Sequence, residues 1–148
     1  MKRMVLLLLA VILAACSALG QGDDFSRNQK KWQDAGITHY RFNLFVGCFC
    51  AFTENMPLVI EVKDGEIVSM EYQTGNPLDD GSREYFSSFA TIDRLFAELE
   101  GVLHGEADKV IVTYDPAYGF PVELNLDFIE EVADDELYLT VSGFEALP

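Results

Sequence analysis

Period-two alternation is the strongest pattern in the chain, and it is clearest in "HYRFNLFVGCFCAF". Tyr40, Phe42, Leu44, Val46, Cys48, Cys50 and Phe52 fall on one side of an extended backbone. Arg41, Asn43, Phe45, Gly47, Phe49 and Ala51 fall on the other. Alternation this regular and this rich in aromatics predicts a half-buried strand, with both cysteines on its core side. "PLVIEVKDGEIVSMEY" follows as a hairpin that turns at Asp64-Gly65. A two-residue loop would set Leu58 opposite Glu71 and mix the faces. A three-residue loop with Gly65 left-handed sets Ile60 opposite Val68 and Leu58 opposite Met70, so that register is expected.

In "TIDRLFAELEGVLHG" the period changes. Ile92, Leu95, Phe96, Leu99, Val102 and Leu103 make one continuous helical stripe. Thr91 suits the N-cap, Asp93 the first-turn dipole and Gly105 the end. His104 in the last turn reads as structural. A shorter helix around Trp32, in "FSRNQKKWQDAG", ends at Gly36. "QTGNPLDDGSREYFSSFA" breaks both periods and reads as loop. "DKVIVTY", "VELNLDFI" and "LYLTVSGFEAL" are three further strands. Between them lie the rigid turn Asp115 to Pro121 and the acidic turn "EEVADDE".

The order is helix, three strands, helix, three strands. It predicts an α+β fold, an antiparallel sheet built from hairpins and packed against one central amphipathic helix, with a short N-terminal helix. No repeat at a fixed period and no second linker is visible, so residues 30–148 are read as a single domain.

The chain opens "MKRMVLLLLAVILAACSALG". Its apolar run is too short for a membrane span, which needs about 20 residues. Positive start, apolar centre and small-residue exit make residues 1–15 a secretory signal peptide. "LAAC" at Leu13 to Cys16 resembles the lipobox of bacterial lipoproteins. That resemblance implies cleavage before Cys16, diacylation of its thiol and acylation of the new amino terminus. Two or more acyl chains anchor stably where one does not. Residues 16–29, the lipidated cysteine and a polar stretch, read as a spacer. The protein is expected to be exported and anchored to a bacterial membrane, facing the periplasm or the cell exterior.

Two of the 10 basic residues, Lys2 and Arg3, lie in the leader, which leaves 8 against 25 acidic residues and a formal charge of −17. Such a surface repels phosphate backbones and argues against nucleic-acid binding. Basic partners or cations are attracted to it.

With Cys16 acylated, Cys48 and Cys50 are each other's only intramolecular partners. Extended residues i and i+2 lie about 6.5–7 Å apart at Cα, whereas a disulfide prefers about 5.5–6 Å. A bond between them needs a bend at Phe49. The alternatives are two free buried thiols, a redox pair, or a metal site. No basic neighbour lowers a thiol pKa here. Two sulfurs cannot complete a zinc site, with only His39 and His104 as added imidazoles.

"CFC" at 48–50, "TIDRLF" at 91–96, "YDPAYGFP" at 114–121 and "DDE" at 134–136 together resemble a bacterial envelope family catalogued as domain of unknown function 6174. The likeness covers roughly residues 30 to 145. It implies a lipoprotein signal followed by one domain, and it carries no activity. Phe120 stands where a tyrosine is also common.

No histidine is placed for a Ser/His/acid triad, and no GxSxG turn or phosphate-binding glycine run is present. No cofactor is predicted. Asp127, Asp134, Asp135 and Glu136 belong to an acidic turn that can offer oxygens to calcium, but the EF-hand spacing is absent. Tyr114, Asp115, Tyr118, Gly119, Phe120 and Pro121 form a turn whose aromatic residues can line a ligand lip. The expectation is a non-enzymatic binding module for an envelope protein, a peptide or a small ligand. The alternative is a thiol-disulfide redox protein using Cys48 and Cys50.

Overall fold

The strongly alternating segments all form strands of one sheet. The computed structural model describes residues 22–129, 132 and 134–148. Helix α1 spans residues 22–35. Strands β1 (His39–Gly47), β2 (Leu58–Lys63) and β3 (Glu66–Tyr72) follow, then helices α2 (Asp80–Ser87) and α3 (Ile92–Gly101), then β4 (Lys109–Tyr114), β5 (Pro121–Asp127) and β6 (Glu136–Ala146). The six strands run in the order β3-β2-β1-β6-β5-β4, and every neighbouring pair is antiparallel.

Hairpins packed against one central helix is the wrong description of this α+β fold. The centre of the sheet is the pairing of the first strand with the last, with Leu44 opposite Val141 and Val46 opposite Leu139. This pairing joins two three-stranded meanders. One helix could not cover the result. Six strands spaced about 4.8 Å apart span about 24 Å, and a helix is about 10 Å across. Three helices share the apolar face instead. Phe25 and Trp32 of α1, Phe86 of α2 and Leu95, Phe96 and Leu99 of α3 lie in one core with Phe42, Leu44, Ile60, Leu124 and Leu139.

The N-terminal helix is also not short. Residues 22–29, read as spacer, form its first half, and Phe25 meets Phe96 edge-on with centroids 5.8 Å apart. The segment read as loop contains α2. Asp79 caps it, its carboxylate accepting from the Ser82 N–H at 2.9 Å. In α3 the Thr91 hydroxyl accepts from the Arg94 N–H at 3.1 Å. A π-helical turn, Val102–Glu106, then closes the element at left-handed Gly105. Both features match the capping pattern of the sequence.

The hairpin register differs too. Lys63 pairs with Glu66 across a two-residue Asp64-Gly65 loop, both at positive φ (51° and 80°), the preferred turn for right-twisted strands. A bulge restores the faces. It leaves Val68 outside the ladder, 58% exposed, and sets Ile60 opposite Met70 and Leu58 opposite Tyr72. Among the described residues no helix is long and apolar enough to cross a membrane. Cys16 and the signal segment lie outside the described residues.

Candidate functional site

β1 stops at Gly47, where the ring of Phe45 lies against the glycine. A Cβ on Gly47 would sit 2.9 Å from Phe45 Cε1. The chain then bends out of the sheet, so the cysteines do not continue the core face. Neither belongs to the core, and both are partly exposed. The bend brings their Cα atoms to 5.1 Å, and a disulfide joins Cys48 to Cys50.

Polar contacts hold the loop from below. The Cys50 N–H donates to the Cys48 carbonyl at 2.8 Å. The Thr53 hydroxyl donates to the Cys50 carbonyl at 2.9 Å and lies 3.3 Å from that of Cys48. A 3-10 turn, Ala51–Asn55, follows. Phe52 turns inward onto Phe86, with centroids 4.8 Å apart, and pins the loop to α2. Phe49, between the two cysteines, is left 86% exposed. A hollow of about 360 Å³ beside it is lined by Cys48, Phe49, Cys50, Ala51 and Thr53.

This disulfide contributes little to global stability. Closing a three-residue loop is worth about 1.6 kcal/mol in the chain-entropy account, against about 3 kcal/mol for fifteen residues. Its effect is local: it fixes where Phe49 points. An exposed phenylalanine on a covalently closed loop has no role in the core to explain it. The alternation already set Phe49 on the solvent side, and a large aromatic there between glycine and alanine was the available signal.

The sequence-selected turn is brought together, but mostly facing inward. Asp115 Oδ1 accepts from the N–H groups of Ala117 and Tyr118 at 2.9 and 2.6 Å. The Asp115 N–H donates to the Phe120 carbonyl at 2.8 Å. Phe120 and Pro121 are buried, and Phe120 packs on Phe144 at 4.6 Å. Gly119 (φ +83°) lies so close to α1 that a Cβ would meet the Asn28 carbonyl oxygen at 2.5 Å. Lys31 Nζ donates to the Pro116 carbonyl. Tyr114 stacks on Phe96, and burial pushes its phenol up to about 12, with Asp24 adding to the shift. Tyr118, 37% exposed, lines a hollow of about 340 Å³ with Asp115, Val122 and Phe144. Through Gly119 and Pro116 the "YDPAYGFP" block docks the β4–β5 turn onto α1, while Tyr118 faces the hollow.

The acidic residues are more scattered. Asp127 ends β5 opposite Glu136, which begins β6. Asp134 has a positive φ of 72°. Asp135 holds both carboxylate oxygens away from solvent. Among the described residues no three His, Cys, Asp or Glu side chains gather to hold a metal ion. Glu130 and Glu131 lie outside the described residues. His39 sits at the opposite end of the sheet. Its Nε2 is 3.1 Å from Glu61 Oε1 and its Nδ1 2.8 Å from the Pro148 backbone oxygen. Both contacts raise its pKa above the usual 6.5, that to Glu61 most.

The chain belongs to the DUF6174 family, a family of unknown function, which matches residues 24–146. The match takes in α1 from its first turn, the disulfide loop and all six strands. No curated protein and no solved structure matches the chain.

Proposed function

We propose that the protein is an exported lipoprotein, tethered through acyl chains on Cys16, whose domain is a non-catalytic binding module with Phe49 as its contact point. The observation that carries this reading is the 86% exposure of Phe49 on a loop closed by Cys48–Cys50. Aromatic anchors dominate interface energetics. A side chain already fixed in place loses less freedom on binding. The partner is a protein with an apolar pocket and a basic rim. The loop's only ionisable side chain is Glu54, which is exposed, and the mature chain is strongly acidic, so charge favours a cationic rim. The same charge opposes self-association and contact with anionic lipid heads.

The test is a photo-crosslinking residue in place of Phe49 in the full lipoprotein, expressed in its own host, with the same residue at Val68 as an exposed control. The expected result is one adduct specific to position 49. The protein it identifies, once purified, should bind the wild type at least about tenfold more tightly than Phe49→Ala, a loss of about 1.4 kcal/mol. Equal adducts at both positions, or an unchanged affinity, would remove the reading. Cys16→Ala should move the protein from the membrane to the aqueous fraction.

A further inference from the structure

We infer that Cys48–Cys50 is a thiol–disulfide exchange site, reducible by a dithiol donor while the domain stays folded, and that exchange switches the display of Phe49. The chemistry stands on the loop alone; its consequence for binding rests on the reading above.

Three features of the loop lead here. The hollow of about 360 Å³ is lined by both cysteines and opens beside the bond. No residue between Cys48 and Asn55 is buried. The contacts that seat the loop, Phe52 on Phe86 and the Asn76 amide donating to Asn55 Oδ1 at 2.9 Å, lie beyond Cys50 and do not require the S–S bond. A disulfide is protected from reductants by its fold to the extent that reaching or breaking it costs folding free energy. Here a hollow reaches both partly exposed cysteines, and the covalent link closes only three residues. Exposed disulfides of this kind are the labile ones.

The surroundings bear on which partner supplies the attacking sulfur. Besides the cysteines, the segment Cys48 to Pro57 holds one ionisable side chain, Glu54, and no cation. No cationic neighbour in this segment activates either cysteine as a nucleophile. The exchange therefore starts from a donor that brings its own activated thiolate. That thiolate attacks one sulfur, the Cys–Cys bond breaks, and the leaving sulfur takes a proton. The donor's second thiol then attacks its own sulfur in the mixed disulfide and releases the other cysteine, which is also protonated. The donor departs as a disulfide, having delivered two electrons; one proton comes from its second thiol and the other from water. The turn at Phe49 then loses its covalent closure, and the side chain is no longer held outward.

The test uses the purified full chain carrying Cys16→Ser, so that only two thiols can be labelled. It is treated at neutral pH, without denaturant, with dithiothreitol or with glutathione, then alkylated and weighed intact. The expected result is double labelling by dithiothreitol in the native state, with near-ultraviolet circular dichroism retained, at a rate within about tenfold of that in denaturant. A disulfide reached only by global unfolding would be slower by the folding equilibrium constant, about 10³ or more. Reduction by glutathione as well would show that a small thiol suffices as donor. Labelling only in denaturant, or loss of tertiary signal on reduction, overturns the inference. Native reduction together with an unchanged partner affinity in Phe49→Ala would keep the exchange site and remove the binding reading.

Discussion

The hydroxyl of Tyr40, on β1, accepts a 3.0 Å hydrogen bond from the backbone N–H of Ile92, the first residue of α3. That N–H has no partner within its helix, and both groups are buried. A helix start thus docks on the central strand through one polar contact inside an apolar core, and burial pushes the Tyr40 phenol up to about 12. Tyr40→Phe keeps the ring and strands the amide. The expected cost is about 1–3 kcal/mol in urea unfolding. A change below about 0.5 kcal/mol would mean that the amide finds another partner.

Gly119→Ala should be among the more damaging single-methyl additions in the chain. The left-handed backbone alone costs about 1–2 kcal/mol for an alanine, and the new Cβ meets the Asn28 carbonyl oxygen and lies 3.0 Å from Lys31 Cβ. A loss of at least about 2 kcal/mol is expected, together with release of the turn from α1. Gly65→Ala meets nothing within 4 Å and should cost only the backbone term. Paired thermal melts of the two variants separate the close approach from the strain.

His39 gives stability a predictable pH dependence. Its folded pKa is raised, by Glu61 first and the Pro148 carbonyl second, against opposing desolvation and the Lys63 charge. The protonated form is therefore the one the fold favours. Its contribution is complete below the unfolded value near 6.5 and is lost as pH rises through the folded value. Melting temperature should fall across that window in the wild type, and His39→Gln should flatten the slope. A slope that survives the substitution would assign the effect to another group.

The disulfide loop should be nearly silent in stability. Phe49→Ala removes a side chain that touches little and should stay within about 0.5 kcal/mol of wild type. Cys48→Ser with Cys50→Ser should cost about 1.6 kcal/mol, the loop-closure value. A loss of 4 kcal/mol or more in the double variant would make the pair a structural staple.

Local features of this fold were legible in the sequence. Thr91 and Gly105 bracket α3 because caps obey short-range rules, and Asp64-Gly65 marks its turn for the same reason. The bulge at Val68 hides the register, because alternation in sequence implies an unbroken ladder. The pairing of β1 with β6 joins residues a hundred positions apart, and alternation reports a buried face without naming its neighbour. The helix around Trp32 and its end at Gly36 were legible, but its first turns, with Phe25 as their one buried residue, were not; α2 buries only Phe86, too little to raise a helical period above polar surroundings. The alternation runs on in sequence through Phe52 and would place the cysteines in the core, but the strand ends at Gly47. Within the "YDPAYGFP" block the sequence does not separate Phe120, which fills the core, from Tyr118, which lines a hollow, because the two kinds of aromatic look alike in sequence.

If the Cys48–Cys50 loop is an autonomous, solvent-facing unit on an independently stable sheet, amide hydrogen exchange on oxidised and dithiothreitol-reduced full chain will show it. Faster exchange is expected only within residues 48–57, with β1, β2 and α3 unchanged. Faster exchange throughout β1 and α3 on reduction would contradict it and make the disulfide part of the core.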